Sequence, residues 1–372
     1  MPKGESALRT EWPLAVTVLT TILFLYFGSR WMADFSSIRW LLFVSLWLFG
    51  AMMVSAFGVV RHAETLADRL GEPLGTLILT LAITGMEVMM IAALMYKAGN
   101  ETLARDAMFA VVMIVLNGMV GLSLLLGGLR YHEQTYNLQG ANAFLAVILP
   151  LAVLGLVMPS FTVTTPGPTL SPIQSVFLII MSLVLYGVFL AIQTQSHRDY
   201  FVAPSGGTPA TPDRDEHAHQ RGRSVPYHTV LLLLYAAPVV VLSKQMAAPI
   251  NHVINSLDAP PALGGFIVSV LILSPEALTA TRAALTNDLQ RSVNILLGSV
   301  LASISLTIPC VLALAFLADR TIVLGLDLLD TTQLLLALAL SMLTFASART
   351  NVLLGAVHLL LFFTYLLLMF ER

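Results

Sequence analysis

Charged residues are scarce in this sequence of 372 residues. Asp, Glu, Lys and Arg together make up 11% of the chain, whereas a soluble globular domain carries about 25%. Cysteine is almost missing, and Cys310 alone cannot form an intrachain disulfide. Clusters of Lys and Arg that would neutralise phosphates are also missing, which argues against a nucleic-acid partner. These absences exclude an ordinary soluble protein and a disulfide-rich secreted one.

Long apolar stretches dominate what is there. Hydrophobic residues make up 57% of the chain, and the mean hydropathy is +0.84. A membrane-spanning helix needs about 20 mostly apolar residues, and we count eleven such stretches. They lie at 12–30, 38–60, 75–98, 106–129, 143–163, 172–195, 227–247, 263–285, 292–317, 331–347 and 351–370. The sequence therefore predicts an all-α integral membrane protein with about eleven transmembrane helices and the lipid bilayer as its main partner.

One polar break between these stretches is long. Residues 197–226 are rich in Pro, Gly and charge, a composition typical of a flexible linker. We therefore divide the chain into an N-terminal tail with the first helix (1–36), a first repeat of helices 2–6 (37–196), the linker, and a second repeat of helices 7–11 (227–372).

Two carboxylates interrupt the apolar pattern. Of the 21 acidic residues, only Glu87 and Glu276 fall in the middle of a predicted span. Their surroundings can be overlaid: "GTLILTLAITGME" ends at Glu87 and "GGFIVSVLILSPE" ends at Glu276. The following helices also correspond, because "GMVGLSLLLGG" and "GSVLASISLTIP" each carry a serine, Ser123 and Ser303, at the same offset from their first glycine. Since the glutamates lie five helices apart, the two copies cross the membrane in opposite directions, as in the inverted repeats of secondary transporters.

Chemistry explains why carboxylates would stand there. An ionised carboxylate in hydrocarbon costs at least about 2.5–3.5 kcal/mol, and it avoids that cost by binding a proton or a cation. Proton and cation then compete for the same oxygens. A site that opens to one side of the membrane at a time would convert this competition into antiport.

Two carboxylates cannot coordinate a hard cation by themselves. Calcium takes about 6–8 oxygen ligands, so backbone carbonyls and side-chain oxygens must contribute. Pro275 and Gly85, next to the glutamates, predict broken helices that turn carbonyls towards the ion. The side-chain candidates are Thr80, Thr84, Ser269, Ser274, Asn117, Ser123, Ser299 and Ser303. For His358, in the last helix, we expect packing or an interhelical hydrogen bond instead.

The two glutamate-bearing stretches resemble a known family. "AETLADRLGEPLGTLILTLAITGMEVMMIAALM" and "GFIVSVLILSPEALTATRAALTNDLQRSVNILLGSVLASISLTIP" are similar to the two repeats of the calcium/cation antiporter superfamily, within its cation/proton exchangers, and most like the bacterial ChaA-type calcium (sodium, potassium)/proton antiporters. The resemblance implies an exchanger of the cytoplasmic membrane that expels cations using the proton gradient, with Glu87 and Glu276 binding cation and proton alternately. It implies no cofactor besides the transported ions, Ca²⁺ (or Na⁺ or K⁺) and H⁺.

The chain departs from that family at one point. Many cation/proton exchangers carry Gly-Asn-Ala-x-Glu at each site, whereas Thr84 and Leu273 stand here at the positions of the asparagines. The missing amides leave the choice among calcium, sodium and potassium open.

Other classes of function remain to be weighed. A passive cation channel with acidic pore residues is the alternative, although it would not need glutamates on inverted helices. A membrane enzyme is disfavoured, since no His-Glu-x-x-His, Gly-x-Ser-x-Gly or phosphate-loop motif occurs. The larger share of Lys and Arg lies on the side of the N-terminus, which predicts that this end is cytoplasmic. The sequence does not indicate an oligomeric state.

Overall fold

The computed structural model describes residues 11–71, 74–98, 101–203, 224–256 and 259–371. These residues form eleven long helices, and ten of them are long and apolar enough to cross a membrane. The helices are α1 (Trp12–Trp31), α2 (Ile38–Leu70), α3 (Leu74–Ala98), α4 (Leu103–Tyr131), α5 (Leu138–Ser160), α6 (Pro172–Ser196), α7 (Val225–Ser256), α8 (Ala262–Leu285), α9 (Leu289–Leu317), α10 (Leu328–Thr344) and α11 (Val352–Phe370). The eleventh candidate, α10, is apolar but has only 17 residues. The predicted all-α membrane architecture with eleven helices is confirmed.

Short polar breaks in the sequence set the helix starts. Five helices begin after a residue whose side chain accepts a hydrogen bond from the first turn: Asn137, Ser171, Asp288, Asp327 and Asn351. Such a cap satisfies an amide that has no partner within the helix. Each cap lies in a polar break between two apolar runs, at the point where the next span begins.

The chain packs as two compact units. Unit 1 comprises Met1–Asn100 and Asp213–Ala259, and unit 2 comprises Glu101–Pro212 and Pro260–Arg372. Unit 1 therefore holds α1, α2, α3 and α7, while unit 2 holds the other seven helices. Each unit takes helices from both halves of the chain, so the packing units do not follow the sequence repeats.

In unit 1, the two longest helices lie side by side in opposite directions. Arg61, late in α2, contacts Tyr235, early in α7. Phe35, before the start of α2, contacts His252, near the end of α7, with ring centroids 5.2 Å apart. The helices α2 and α7 have 33 and 32 residues and occupy equivalent places in the two predicted repeats, so this pair shows the inverted arrangement.

One end of unit 2 gathers the connections that follow even-numbered helices. A short antiparallel ladder pairs β1 (Gln134–Thr135), after α4, with β2 (Arg349–Thr350), before α11. The side chain of Gln134 also donates to the carbonyl of Ala284 at the end of α8, at 2.9 Å. The end of α4 therefore lies beside the α8–α9 connection, and α4 and α9 run in opposite directions.

The other end of unit 2 gathers the remaining connections. The amide of Val323, between α9 and α10, bonds the carbonyl of Glu101, before α4, at 3.2 Å. The amide of Leu326 donates to the carbonyl of Leu156, near the end of α5, at 2.8 Å. The α5/α10 pair is thus antiparallel like the α4/α9 pair, and the inverted repeat predicted from sequence is confirmed within each unit.

The predicted flexible linker begins with a folded segment. Residues Arg198–Phe201 form a 3₁₀ turn, and Phe201 is buried against Phe144 and Phe189. The side-chain amide of Asn294 donates to the backbone carbonyl of Phe201 at 2.7 Å. The prediction of a linker was therefore wrong for this first part; residues 204–223 lie outside the described residues.

Candidate functional site

Glu87 lies near the middle of α3 and is almost fully buried. Its exposed fraction is 1%, and Met86 and Met90 on the same helix are completely buried. Thr84 and Thr80 precede it by three and seven residues, a spacing that places all three side chains on one face of the helix. Thr84 is buried too. The sequence therefore folds here into a helix that carries one carboxylate and two hydroxyls on the same face.

Glu276 occupies the corresponding place in α8. Its exposed fraction is 8%, and Ile272 and Leu273, one turn before it, are almost fully buried. Ser269 precedes Glu276 by seven residues, as Thr80 precedes Glu87. The hydroxyl of Ser269 lies 2.9 Å from the carbonyls of Ala107 and Gly265, so its hydrogen is engaged in packing α8 against α4.

The backbone at the two glutamates differs from expectation. Both α3 and α8 are continuous helices, through Gly85 and through Pro275, so the predicted breaks are absent from these two described helices. Pro275 still has no amide hydrogen to offer the carbonyl of Leu271. Nearby hydroxyls take up two other carbonyls of this turn, because Ser274 donates to Val270 and Thr279 donates to Pro275. The helix continues through Pro275, with these hydroxyl hydrogen bonds in the turns around it.

Irregular backbone occurs instead in the helices that follow. A π-helical segment, Met113–Met119, interrupts α4, and another, Ser303–Thr307, interrupts α9. Such segments leave the regular hydrogen-bond ladder and are frequent at functional sites. Asn117 lies in the first and Ser303 in the second, each fourteen residues after the first residue of its helix. Counted from the first residue of each helix, Asn117 therefore corresponds to Ser303. The overlay of the two sequences aligned Ser123 with Ser303 instead.

The remaining candidates differ in burial. Ser123 is 1% exposed and Ser303 is 4% exposed, while Ser299 and Ser274 are half-buried. Asn117 is completely buried. Its amide oxygen lies 3.3 Å from Nδ1 of His358 in α11, so the interhelical hydrogen bond expected for His358 is present.

A buried polar cluster in unit 1 was missed by the sequence reasoning. Glu11, before α1, accepts a hydrogen bond from Arg61 at 2.5 Å and from Tyr235 at 3.0 Å. The two buried rings of His62 and His228 meet with their Nδ1 atoms 3.0 Å apart. Burial pushes the pKa of Glu11 up, but the hydrogen bond with His62 and the charge of Arg61 outweigh it and lower the pKa to about 2. The cluster joins three helices whose residues are far apart in the sequence, and no local pattern indicates it.

Comparison with known proteins places the chain in a family. A family model described as sodium/calcium exchanger protein matches residues 40–195 and 227–371. The sodium-potassium/proton antiporter ChaA of Escherichia coli (strain K12) is 37% identical over 374 residues, which covers 100% of both chains. A protein named as the putative ionic transporter y4hA, of Sinorhizobium fredii (strain NBRC 101917 / NGR234), is 42% identical over 86% of each chain.

Solved structures share the fold. Native YfkE superposes with a TM-score of 0.74 at 18% identity, covering 96% of this chain and 100% of that one. The H⁺/Ca²⁺ exchanger CAX superposes with a TM-score of 0.65 at 16% identity, covering 96% and 88%. The resemblance noted in the glutamate-bearing stretches is thereby confirmed. Since the family model covers most of the chain and a relative matches along its whole length, this multi-pass membrane protein belongs to the sodium/calcium exchanger protein family.

Proposed function

We propose that this chain is a secondary cation/proton antiporter, which expels Ca²⁺, Na⁺ or K⁺ in exchange for H⁺ by alternating access. The observation that carries the proposal is the pair of glutamates. Glu87 and Glu276 are 1% and 8% exposed in the middle of apolar helices, at matching places of two inverted repeats. Intramembrane carboxylates are expensive and mark ion or proton pathways in transporters.

The names of relatives support the same class of activity. The Escherichia coli relative is named a sodium-potassium/proton antiporter. A protein of Aphanothece halophytica named Ca(2+)/H(+) antiporter is 25% identical over 68% of this chain. These names agree on proton exchange and differ on the cation, so the cation is the open question for this chain.

We propose that each glutamate binds proton and cation in turn. A carboxylate in an apolar helix favours the protonated form, because burial penalises its charge. A cation nearby favours the charged form instead. Binding of one ion therefore displaces the other, and the inward proton gradient drives the cation outwards.

Further oxygens in each unit are candidate ligands beside the glutamate of that unit. Thr84 shares the face of Glu87, and the carbonyl of Leu271 receives no amide hydrogen from Pro275. Asn117 and Ser303 lie where the π-helical segments interrupt the ladder. Hydroxyls, amide oxygens and carbonyls suit hard cations.

The proposed location is the bacterial cytoplasmic membrane, with the N-terminus on the cytoplasmic side. The larger share of Lys and Arg on that side supports this orientation. Reporter fusions at Trp12 and at Glu371 would test it, since eleven crossings put the two ends on opposite sides. A reporter active on the same side at both positions would refute the eleven-span topology.

Everted membrane vesicles provide the test of the function. Respiration acidifies the vesicle interior, and an antiporter releases part of that gradient when its cation is added. We expect a response to at least one of calcium, sodium and potassium chloride, and its loss in Glu87→Gln and in Glu276→Gln. Glu133→Gln is the matched control, because Glu133 is 61% exposed in a connection and pairs with the exposed Arg349.

The outcomes separate the two candidate functions. No response to any of the three salts at any pH between 6 and 9 would refute the antiporter. Cation flux that does not move protons would favour the passive channel instead. Normal exchange in both glutamine variants would overturn the assignment of the ion-binding residues.

A further inference from the structure

His358 is a completely buried histidine that joins three helices of unit 2. From α11 its Nε2 atom lies 2.9 Å from the hydroxyl of Thr344 at the end of α10. Its Nδ1 atom lies 3.3 Å from the amide oxygen of Asn117 in α4. Both ring nitrogens are therefore engaged.

These contacts define the tautomer of the ring. The neighbour of Nδ1 is the amide oxygen of Asn117, which can only accept, so Nδ1 carries the hydrogen. Nε2 then accepts from the hydroxyl of Thr344. The neutral ring satisfies every one of these contacts, so His358 acts as a fixed donor towards α4.

The turn of α4 that contains Asn117 departs from the regular helical ladder. In a regular α-helix the amide of Val120 would bond Leu116, four residues earlier. Here the amide of Val120 bonds the carbonyls of Val115 and Asn117 instead, which is the departure that makes the turn π-helical. His358 donates to Asn117 within this irregular turn, so it links the turn to α11.

Glycines hold α11 close enough for this contact. A methyl group built at Gly121 of α4 would lie 3.0 Å from the carbonyl oxygen of Gly355 and 3.0 Å from Cβ of His358. A methyl group at Gly355 would lie 2.5 Å from the amide of Leu125. The two backbones therefore touch beside His358, in the manner of small-residue packing between membrane helices, and the imidazole is fixed relative to the π-helical turn.

We propose that His358 is a positioning residue for cation binding, which holds the amide of Asn117 and its π-helical turn in the geometry that the ion requires. The inference rests on the proposed function, where Asn117 is a candidate ligand. An amide oxygen has two lone pairs, so it accepts from His358 with one and offers the other to a cation. Donors behind a ligand orient it, and losing one typically lowers metal affinity or activity about 10–100-fold.

Two substitutions of His358 separate its two hydrogen bonds. In His358→Asn the side-chain amide nitrogen stands near the place of Nδ1, so the donor towards Asn117 is kept. In His358→Gln the amide stands near the place of Nε2, so the contact with Thr344 is kept and the donor towards α4 is lost. We expect His358→Gln to raise the KM for the cation about 10-fold, with a smaller change in maximal rate, and His358→Asn to restore most of the affinity.

The measurement uses the full chain in everted vesicles, with whichever of the calcium, sodium and potassium chlorides gives the largest response. Asn117→Ala should also raise the KM, and the double variant with His358→Gln should be no worse than Asn117→Ala alone, because both substitutions remove the same contact. Thr344→Val is the control, with an expected KM within about threefold of the wild type and a lower thermal stability in detergent.

Each other outcome has a defined meaning. A wild-type KM in His358→Gln, or additive effects of Asn117→Ala and His358→Gln, would overturn the positioning role while leaving the antiporter intact. Equal losses in His358→Asn and His358→Gln that follow thermal stability would show a purely structural histidine and also overturn it. A wild type without any antiport would refute the proposed function itself, and this inference with it.

Discussion

Replacing Glu11 by Gln should loosen the cluster that ties α1 to α2 and α7. Glu11 accepts hydrogen bonds from Arg61 and Tyr235 and lies 3.5 Å from Nε2 of His62. A glutamine keeps one acceptor oxygen but loses the charge that neutralises Arg61. We therefore expect the variant to insert in the membrane and to unfold at a lower temperature than the wild type.

The magnitude follows from the contacts that are weakened. A hydrogen bond to a charged group contributes about 1.5–3 kcal/mol. The side chain of Arg61 is 30% exposed and that of Glu11 is 10% exposed, so screening by solvent places the loss at the lower end of that range. About 2 kcal/mol corresponds to a fall in unfolding temperature of about 2–3 °C for a chain of 372 residues.

The pH dependence of this difference has a definite sign. Because the pKa of Glu11 lies at about 2, below the ordinary value of 4.5, its carboxylate adds stability that is fully present above pH 4.5 and is lost as the pH falls towards 2. The difference in unfolding temperature between wild type and Glu11→Gln should thus be smaller at pH 3.5 than at pH 6.

Thermal unfolding of the purified protein in detergent, followed by tryptophan fluorescence, provides the assay. Tyr235→Phe should lower the unfolding temperature by a smaller amount, and its effect should shrink when Glu11 is already replaced. An unchanged unfolding temperature in Glu11→Gln at pH 7 would refute the reasoning. So would a difference that grows as the pH falls from 6 to 3.5.

Two further predictions concern the ion preference and the packing of α11. Introducing asparagine at Thr84 and at Leu273, as many family members have it, should change the ratio of calcium to sodium response in vesicles about tenfold or more, because amide oxygens would join the ligands; an unchanged ratio would contradict a role of these positions in selectivity. Gly121→Val should destabilise the protein by about 2 kcal/mol or more, since a side chain there meets the backbone at Gly355; a wild-type unfolding temperature would show that α4 and α11 can separate freely.

Most of the architecture could be predicted from the lengths of the apolar stretches in the sequence. Nine of the eleven stretches became helices within five residues of their predicted bounds, because a span needs a nearly uninterrupted apolar sequence, while α2 and α7 continue ten and nine residues further. The helix α2 continues to Leu70, well beyond its apolar part, since its last turns pack on other helices of unit 1. The folded start of the linker could not be predicted, because Phe201 is buried by residues of α5 and α6.

The candidate site was predictable in part. A carboxylate in an apolar run stands out, so Glu87 and Glu276 could be found from sequence and were found buried. The π-helical turns could not be predicted from the sequence, because they depend on which amide bonds which carbonyl. Asn117 is an ordinary buried polar residue in the sequence, and its contact with His358 is visible only in the structure. The break predicted at Pro275 was wrong, since α8 continues through it.

Simultaneous recording of both ions tests the central claim most directly. Purified protein in liposomes, with a tracer cation outside and a pH-sensitive dye inside, reports cation and proton movement in the same vesicles. We predict that wild type and Glu133→Gln move the two ions in opposite directions, and that Glu87→Gln and Glu276→Gln each stop both movements together. Cation movement without protons in the wild type, or coupled exchange that survives both glutamine substitutions, would contradict the account.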